Sequence, residues 1–315
     1  MQFITPSALR QRGMLGMNRR NIDYIGRYNR RELYPLVDDK LQTKLLAEEY
    51  GIPTPQLRFV VSEQHQVREF EQRLASMDSF VLKPAKGSGG KGILVVTGRE
   101  GDAFIKSSGA SLVMADLRRH MSNTLAGLYS LSGVPDVVIT EDVIGFDREF
   151  AGYSYEGVPD IRIIVFRGYP VMAMLRLATH ASDGKANLHQ GAIGVGLAMD
   201  DGSCLHAVQH GRKCSVHPDT GQRLDHIRIG NWRELLLLAA RCYEMTGLGY
   251  IGTDLVLDAG KGPQLLELNA RPGLSIQVAN DRGLLPRLRA IEQFRERRQV
   301  PPAERVDFAM QSFAD

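Results

Sequence analysis

By residue type and spacing, the side chains best suited to chemistry in this sequence are Asp254, Glu267 and Asn269, within the stretch Gly249 to Gly273, GYIGTDLVLDAGKGPQLLELNARPG. The short apolar runs Leu255 to Leu257 and Gln264 to Leu268 flank the turn Asp258-Ala259-Gly260-Lys261-Gly262 and predict a β-hairpin. Side chains alternate faces along a strand. Glu267 and Asn269 are therefore expected on one face, with Asp254 beside them on the paired strand and Leu266 and Leu268 entering a core. Two carboxylates and an amide oxygen at a strand end suit a hard cation such as Mg²⁺, which takes oxygen ligands and keeps positions open for water and phosphate. Turn-flanking polar residues produce the same letters, because short motifs match by chance.

A second group shifts that balance. Lys83 lies on an expected strand, Phe80 to Pro84, and is followed by Lys86-Gly87-Ser88-Gly89-Gly90-Lys91-Gly92 and the strand Ile93 to Thr97. Glycines let backbone N–H groups approach phosphate oxygens, and lysines neutralise their charge. A Walker-type loop would continue from Lys into Ser or Thr and then a helix. Here Gly92 and β-branched residues follow Lys91, so the loop is expected to join two strands as a flap. Four glycines flanked by lysines weigh against a plain flexible turn. By contrast, Cys204, His206, His210, Cys214 and His217 lack the spacing of paired zinc knuckles, and Pro218-Asp219-Thr220-Gly221 interrupts them, so structural roles are favoured.

Several elements must position these groups. Asp38-Asp39 open a helix with Lys40, Lys44 and Glu48 to one side and Leu41, Leu45 and Leu46 buried, ending at Gly51. A strand follows at Gln56 to Val61, and Ser62 caps a helix running to about Ser76. Residues 98–134 read as a polar, helical insertion or cap, clearest at Met114 to Met121. Val137 to Thr140 is a strand continued by Glu141-Asp142-Val143, and Gly145 to Pro159 reads as loop. Ile161 to Phe166 and Pro170 to Leu175 form a hairpin with Arg162 and Arg176 near opposite ends. The polar loop Thr179 to Gln190 leads to a Gly-rich strand at Gly191 to Met199, and Asn231 caps the amphipathic helix Trp232 to Thr246. Beyond Asn280 a basic helical segment, Arg287 to Arg298, and a frayed tail are expected. The division that follows is an arm (1–37), two central units (38–140 and 141–285) and a tail (286–315).

At 315 residues, with 43% hydrophobic and 24% charged residues, the chain can bury a sizeable core and has ordinary globular composition. It holds no run of about 18 apolar residues and no signal-peptide core, so neither a membrane span nor export is indicated and the cytoplasm is expected. Three cysteines are too few for a disulfide scaffold, in keeping with a reducing compartment. A net charge of +3 does not call for nucleic acid. The arm is uneven, with Arg10, Arg12, Arg19, Arg20, Arg27, Arg30 and Arg31 against Asp23 before Glu32. Such an arm can grip an acidic partner, although a solvated or flexible end is the commoner outcome.

In order and spacing, these pieces resemble the ATP-grasp superfamily over residues 38 to 280, and in particular its α-L-glutamate-ligase-related branch, which is similar to ligases that add glutamate to ribosomal protein tails. The carrying residues are Lys83 to Gly92, Ile139 to Val143, Asp160 to Arg162, Ala186 to Ala192 and Glu267 to Gly273. The resemblance implies an α+β fold of two subdomains that holds ATP between antiparallel sheets. It places Lys40 and Lys83 on the α- and β-phosphates and closes the flap, Lys86, Gly87, Ser88, Gly89, Gly90, Lys91 and Gly92, over the triphosphate. Glu141 would accept from the adenine amine, the backbone of Asp142 and Val143 would complete a hinge, and Asp160 or its competitor Glu149 would bind ribose. Arg176 and Asn187 would face the γ-phosphate. Asp254, Glu267 and Asn269 would hold Mg²⁺, as one or two ions with Mn²⁺ as a substitute, and Arg271 would bind a substrate carboxylate or acyl phosphate.

The implied activity is ligation of a carboxylate to an amine through an acylphosphate, with an amino acid such as glutamate as one substrate and a small molecule or acidic peptide as the other. A silent ATP-binding module and a kinase-like phosphotransferase are the competing readings. Family ligases carry an α/β domain of about one hundred residues before the first nucleotide-binding lysine, whereas Lys40 here follows a short arm. The acceptor site is therefore expected to be completed by the arm, by the 98–134 insertion, or by a protein partner or second copy.

Overall fold

The computed structural model describes residues 5–87, 89–130, 133–145, 150, 152–294 and 300–314. Ser88 and Glu149 lie outside these residues. Alternating apolar positions in successive hairpins build two sheets with every neighbouring pair antiparallel. The first comprises β1 (Leu57–Val61), β2 (Phe80–Pro84), β3 (Leu94–Glu100), β4 (Ala103–Lys106), β5 (Ser111–Leu112) and β6 (Val138–Glu141), in the order β1-β6-β2-β3-β4-β5. The helices Gln66–Ala75 and Met114–Leu125 join Val61, Phe80, Leu82 and Val96 in one core.

The second sheet comprises β7 (Asp160–Phe166), β8 (Tyr169–Leu177), β9 (Ile193–Leu197), β10 (Cys204–Gln209), β11 (Arg212–Lys213), β12 (Tyr250–Asp258) and β13 (Gly262–Asn269). Their order is β11-β10-β9-β8-β7-β12-β13. Its nearly all-apolar central strands are covered by the helix Trp232–Thr246, whose Leu235, Leu236, Ala239 and Cys242 are fully buried.

Four expectations are corrected here. The segment 98–134 is not a helical insertion throughout, because β3 runs on to Glu100 and β4 and β5 extend the sheet. Phe104 is buried there, edge-on to Phe80 at 5.7 Å. In the helix Lys40–Glu49 the buried residues are Thr43, Lys44 and Ala47, while Leu45 is 51% exposed. Ion pairing with the neighbouring sheet overrides the apolar pattern. In β13 a bulge lies opposite the Asp254–Leu255 step, since Asp254 faces Glu267 but Leu255 faces Leu265. Leu265 and Leu268 therefore enter the core and Leu266 is left half-buried. The tail is not frayed, because Pro302–Ser312 is a helix docked on the Trp232–Thr246 helix, with Arg305 buried and bonded to Glu244 at 2.5 Å.

The arm is also part of the fold. Leu15, Tyr24 and Ile25 are buried in the second core, and Tyr24 packs edge-on against Phe166 at 5.5 Å. The arm passes Gly283 so closely that a Cβ there would sit 2.0 Å from the Gly13 carbonyl carbon, so only glycine admits the crossing. Asn29, 4% exposed, donates to the carbonyls of Tyr250 (2.7 Å) and Ala270 (3.0 Å) and accepts from the Tyr250 N–H (2.8 Å). It thereby staples the start of β12 to the end of β13. Replacing Asn29 by Ala leaves buried backbone groups unpaired, so Asn29→Ala is expected to lower stability by about 2–4 kcal/mol in urea unfolding.

Candidate functional site

The cleft is built from Lys40 outward. Asp39 caps the helix by accepting from the backbone N–H groups of Leu41 (3.0 Å) and Gln42 (3.2 Å), which fixes Lys40 in the first turn. The Lys40 ammonium donates to the Gly87 carbonyl at the flap base (2.5 Å) and pairs with Glu267 Oε1 (3.2 Å) on β13. One side chain thus links the base of the flap to the second sheet. Lys83 of β2 and Leu266 and Glu267 of β13 line the same recess, with Thr43 and Thr54 beside them.

On the first sheet, β2 and β6 are adjacent, and Glu141 lies between two lysines. Lys83 Nζ is 2.7 Å from Oε2 and Lys44 Nζ is 2.8 Å from Oε1, with all three side chains buried. Desolvation pushes the Lys44 pKa down, against the pull of Glu141 and helped by the charge of Lys83. Asp142 leaves this strand to pair with Arg58 and with Lys261 (3.0 Å), and its N–H donates to the Gln56 carbonyl (3.1 Å). Val143 and Asp142 border an outer recess with Arg58 and Phe59.

The flap joins β2 to β3 as expected. Its entry is fixed by the Lys86 N–H donating to both oxygens of Asp136 (3.1 and 2.9 Å), and its exit by His120 Nε2 on the Gly92 carbonyl (3.0 Å). Gly89, Gly90 and Gly92 take positive φ, and a Cβ on Gly92 would strike the Tyr129 ring at 2.5 Å. Lys86 and Lys91 are exposed. From the loop between β8 and β9, Lys185 approaches the flap, its Cδ 3.9 Å from where a Cβ on Gly90 would stand.

On the second sheet, register makes a stripe of charge. Asp160 faces Arg176, Arg162 faces Asp254, and Asp254 faces Glu267. Arg162 grips Asp254 with two hydrogen bonds (2.7 and 2.6 Å), while Arg176 holds Asp160 bidentately and adds a contact to Asp254 Oδ2 at 2.8 Å. Arg162 and Arg176 therefore meet at one carboxylate rather than marking opposite ends of the hairpin, because each lies near its open end. Burial opposes ionisation of Asp254, but the two arginines outweigh it and hold its carboxyl down at about 2. Burial raises Asp160 to about 6, against Arg176 and aided by the charge of Asp254.

Asn187 caps the short turn Leu188–Gln190 through its side-chain oxygen on the His189 N–H (3.0 Å). Asn269 Oδ1 accepts from the Arg271 N–H (2.8 Å), and Arg271 lies over the Tyr34 ring at 5.2 Å with Asp38 at 3.2 Å. Arg20 of the arm donates to the Pro272 carbonyl at 2.8 Å, steadying the same loop.

The sequence reading gave no role to Lys44 beyond a helix face and none to Arg162. Their signals were a spacing of one helical turn from Lys40 and of two strand residues from Asp160. His217, from the cysteine–histidine run, is buried between the Ala178 carbonyl (3.2 Å) and the Asp219 N–H (3.3 Å), a structural position.

The proposed Mg²⁺ donors are all hard oxygens, which fits that cation in type. Glu267 is part-exposed with one oxygen on Lys40, and Asn269 is half-buried at the strand end. Asp254 fits only when a guanidinium gives up an oxygen, since both are engaged here.

A family model described as sugar-transfer associated ATP-grasp matches residues 19–293, so the chain belongs to that family and has the ATP-grasp fold. No match emerges among curated protein sequences. Among solved structures, the D-cycloserine synthetase DcsG is 19% identical, over 87% of this chain and 72% of that one, with a TM-score of 0.48. D-alanyl-alanine synthetase A from Vibrio cholerae is 11% identical over 90% and 66% of the two chains, with a TM-score of 0.48. The ATP-grasp ligase PsnB, complexed with a phosphomimetic precursor variant, Mg and ADP, is 15% identical over 84% of this chain, with a TM-score of 0.44. This chain spans 62% of PsnB's length. Among the described residues, no helix is long and apolar enough to cross a membrane.

The carboxylate pair predicts opposing pH effects. The stability contributed by Asp254 is fully present above its ordinary value of 3.8 and lost as pH falls through about 2. Asp160 has the opposite sign: its contribution is present below 3.8 and is lost as pH rises through about 6. Asp254→Asn is expected to be less stable at pH 7 by about 3 kcal/mol, because it leaves the largely shielded Arg162 without its anion while Arg176 keeps Asp160. It should also lack a wild-type loss of about 2 kcal/mol between pH 4 and 2. Urea unfolding across that range checks both.

Proposed function

We propose that the protein is an ATP-dependent carboxylate–amine ligase, acting through an acylphosphate, with an amino acid such as glutamate as one substrate. The observation that carries this reading is Lys40 bridging the flap carbonyl of Gly87 and Glu267, which draws a cationic glycine-rich flap and a stripe of oxygen donors and arginines to one cleft. Phosphoryl transfer depends on positioning and on neutralising charge spread over phosphate oxygens. Those are the resources gathered here, and no nucleophilic Ser or Cys is needed.

In this reading Lys40 and Lys83 take the α- and β-phosphates, while the flap N–H groups cover the triphosphate. Glu141 accepts from the adenine amine at the Asp142–Val143 hinge. Arg176 and Arg162 stabilise the γ-phosphoryl group as a substrate carboxylate attacks it and ADP departs. Arg271 holds the acyl phosphate while an amine adds, loses its proton and expels phosphate. Glu267 and Asn269, joined by Asp254 once an arginine turns away, would hold Mg²⁺, which when bound supplies further charge neutralisation at the phosphates. Asp160, committed to Arg176, acts as that arginine's anchor in this scheme, and ribose recognition falls to another group.

The engaged state of Asp254 is the observation that favours a second reading, an ATP-binding module without turnover. Phosphate release from Mg·ATP, screened against pooled amino acids and small carboxylates with mass spectrometry on positive pools, separates the two. Release coupled to a condensation product is the expected result; tight ATP binding without release in any pool would sink the ligase. Glu267→Ala is expected to lower turnover by at least about 100-fold with the fold intact, and Lys83→Ala to weaken ATP binding.

A further inference from the structure

Lys44 has a different chemical position from the two lysines that flank it in the cleft. It lies one helical turn beyond Lys40 and is 6% exposed. The Lys44 ammonium donates to the Pro55 carbonyl and to Thr54 Oγ1 (3.3 Å), and it is ion-paired with Glu141 Oε1 at 2.8 Å. All of these contacts are to protein, and they hold the ammonium in place at the edge of the recess that it lines with Lys83. Lys83, on the other oxygen of the same carboxylate, has Glu141 as its one ion-pair partner among the described residues. Among the described residues its ammonium has no hydrogen-bonded carbonyl or hydroxyl of the kind that holds Lys44, and its side chain borders the recess shared with Glu267.

Two cations on one anion leave this buried triad with one excess positive charge. If Lys83 turns toward an incoming anion, Lys44 still balances Glu141. Without Lys44, the same movement would leave a bare carboxylate in a buried site, which is strongly unfavourable. We propose that Lys44 is a positioning residue, a fixed counter-ion for Glu141 that frees Lys83 to bind nucleotide phosphate. The inference rests on reading the cleft as an adenine-nucleotide site.

Lys44→Gln tests it, because glutamine removes the charge while retaining N–H donors in a side chain one atom shorter, and Lys44→Arg controls for the change of shape. Calorimetric titration with ATP and with adenosine is made on the wild type, Lys44→Gln, Lys83→Met and the double variant. Lys44→Gln is expected to weaken ATP binding about tenfold and adenosine binding less than about twofold, because the cost arises only when Lys83 moves to phosphate. In the Lys83→Met background, adding Lys44→Gln should change ATP affinity by less than about twofold, since no lysine remains to be released. Lys44→Arg, which keeps the charge, should bind ATP within about threefold of wild type. Additive losses, equal losses for ATP and adenosine, or an Lys44→Arg loss as large as that of Lys44→Gln would overturn the proposal. A wild-type protein that binds neither ATP nor ADP would overturn the nucleotide reading as well.

Discussion

A carboxylate taken out of water must find positive charge, and in this protein that requirement is met across element boundaries. Asp254 of β12 is balanced by Arg162 of β7 and Arg176 of β8, and Glu141 of β6 by Lys83 of β2 and Lys44 of the first helix of the cleft. Glu267 of β13 meets Lys40 from that same helix, and Asp142 meets Arg58 of β1 and Lys261 of the β12–β13 turn. Each pairing depends on strand register, because a slip of one residue would send every side chain to the opposite face. Breaking one partner of a buried pair costs several kcal/mol. Charge balance and sheet register therefore enforce one another, and the cleft is specified by both.

The arm takes part in the same construction. Asn29 closes the backbone between the start of β12 and Ala270, Arg20 holds the Pro272 carbonyl, and Tyr34 with Asp38 receives Arg271. The loop carrying Asn269 and Arg271 thus has its position set partly by residues more than two hundred places earlier in the chain. This is a tertiary role for a segment whose exposed surface is rich in arginine and whose buried side is aromatic, with Tyr24 and Tyr28 against Phe166.

Much of the site could be read from local pattern. The hairpin around Asp258, the flap between β2 and β3, and the nearness of Asp254 to Glu267 follow from strand periodicity and turn chemistry, which act over a few residues. What escaped depends on contacts distant in sequence. The bulge that turns Leu265 rather than Leu266 inward arises from pairing with β12, and the burial of Lys44 from Glu141 nearly one hundred residues away. Phe104 and Ile105 sit among polar residues whose composition suggested helix, yet Phe104 finds Phe80 and a sheet edge to extend. Arginine counts in the arm concealed Leu15, Tyr24 and Ile25, which together anchor it. Residue types named Asp160 and Asp254 as ligand candidates, but type alone does not reveal that a carboxylate's lone pairs are already in use.

Lys40, Lys83, Arg162 and Arg176 each hold an anion of the protein before any ligand arrives. The cleft therefore behaves as an ion exchanger rather than as a reservoir of free positive charge. At Lys40, Arg162 or Arg176 a singly charged visitor must displace a well-placed carboxylate to gain one contact, an exchange with little net return, whereas Lys83 can leave Glu141 to Lys44. A visitor carrying several charges on adjoining groups can displace several partners in one event, at a single cost in translational freedom. In the nucleotide reading proposed above, discrimination by the number of linked charges is thus built into the resting protein, through the anions that its own cations already hold.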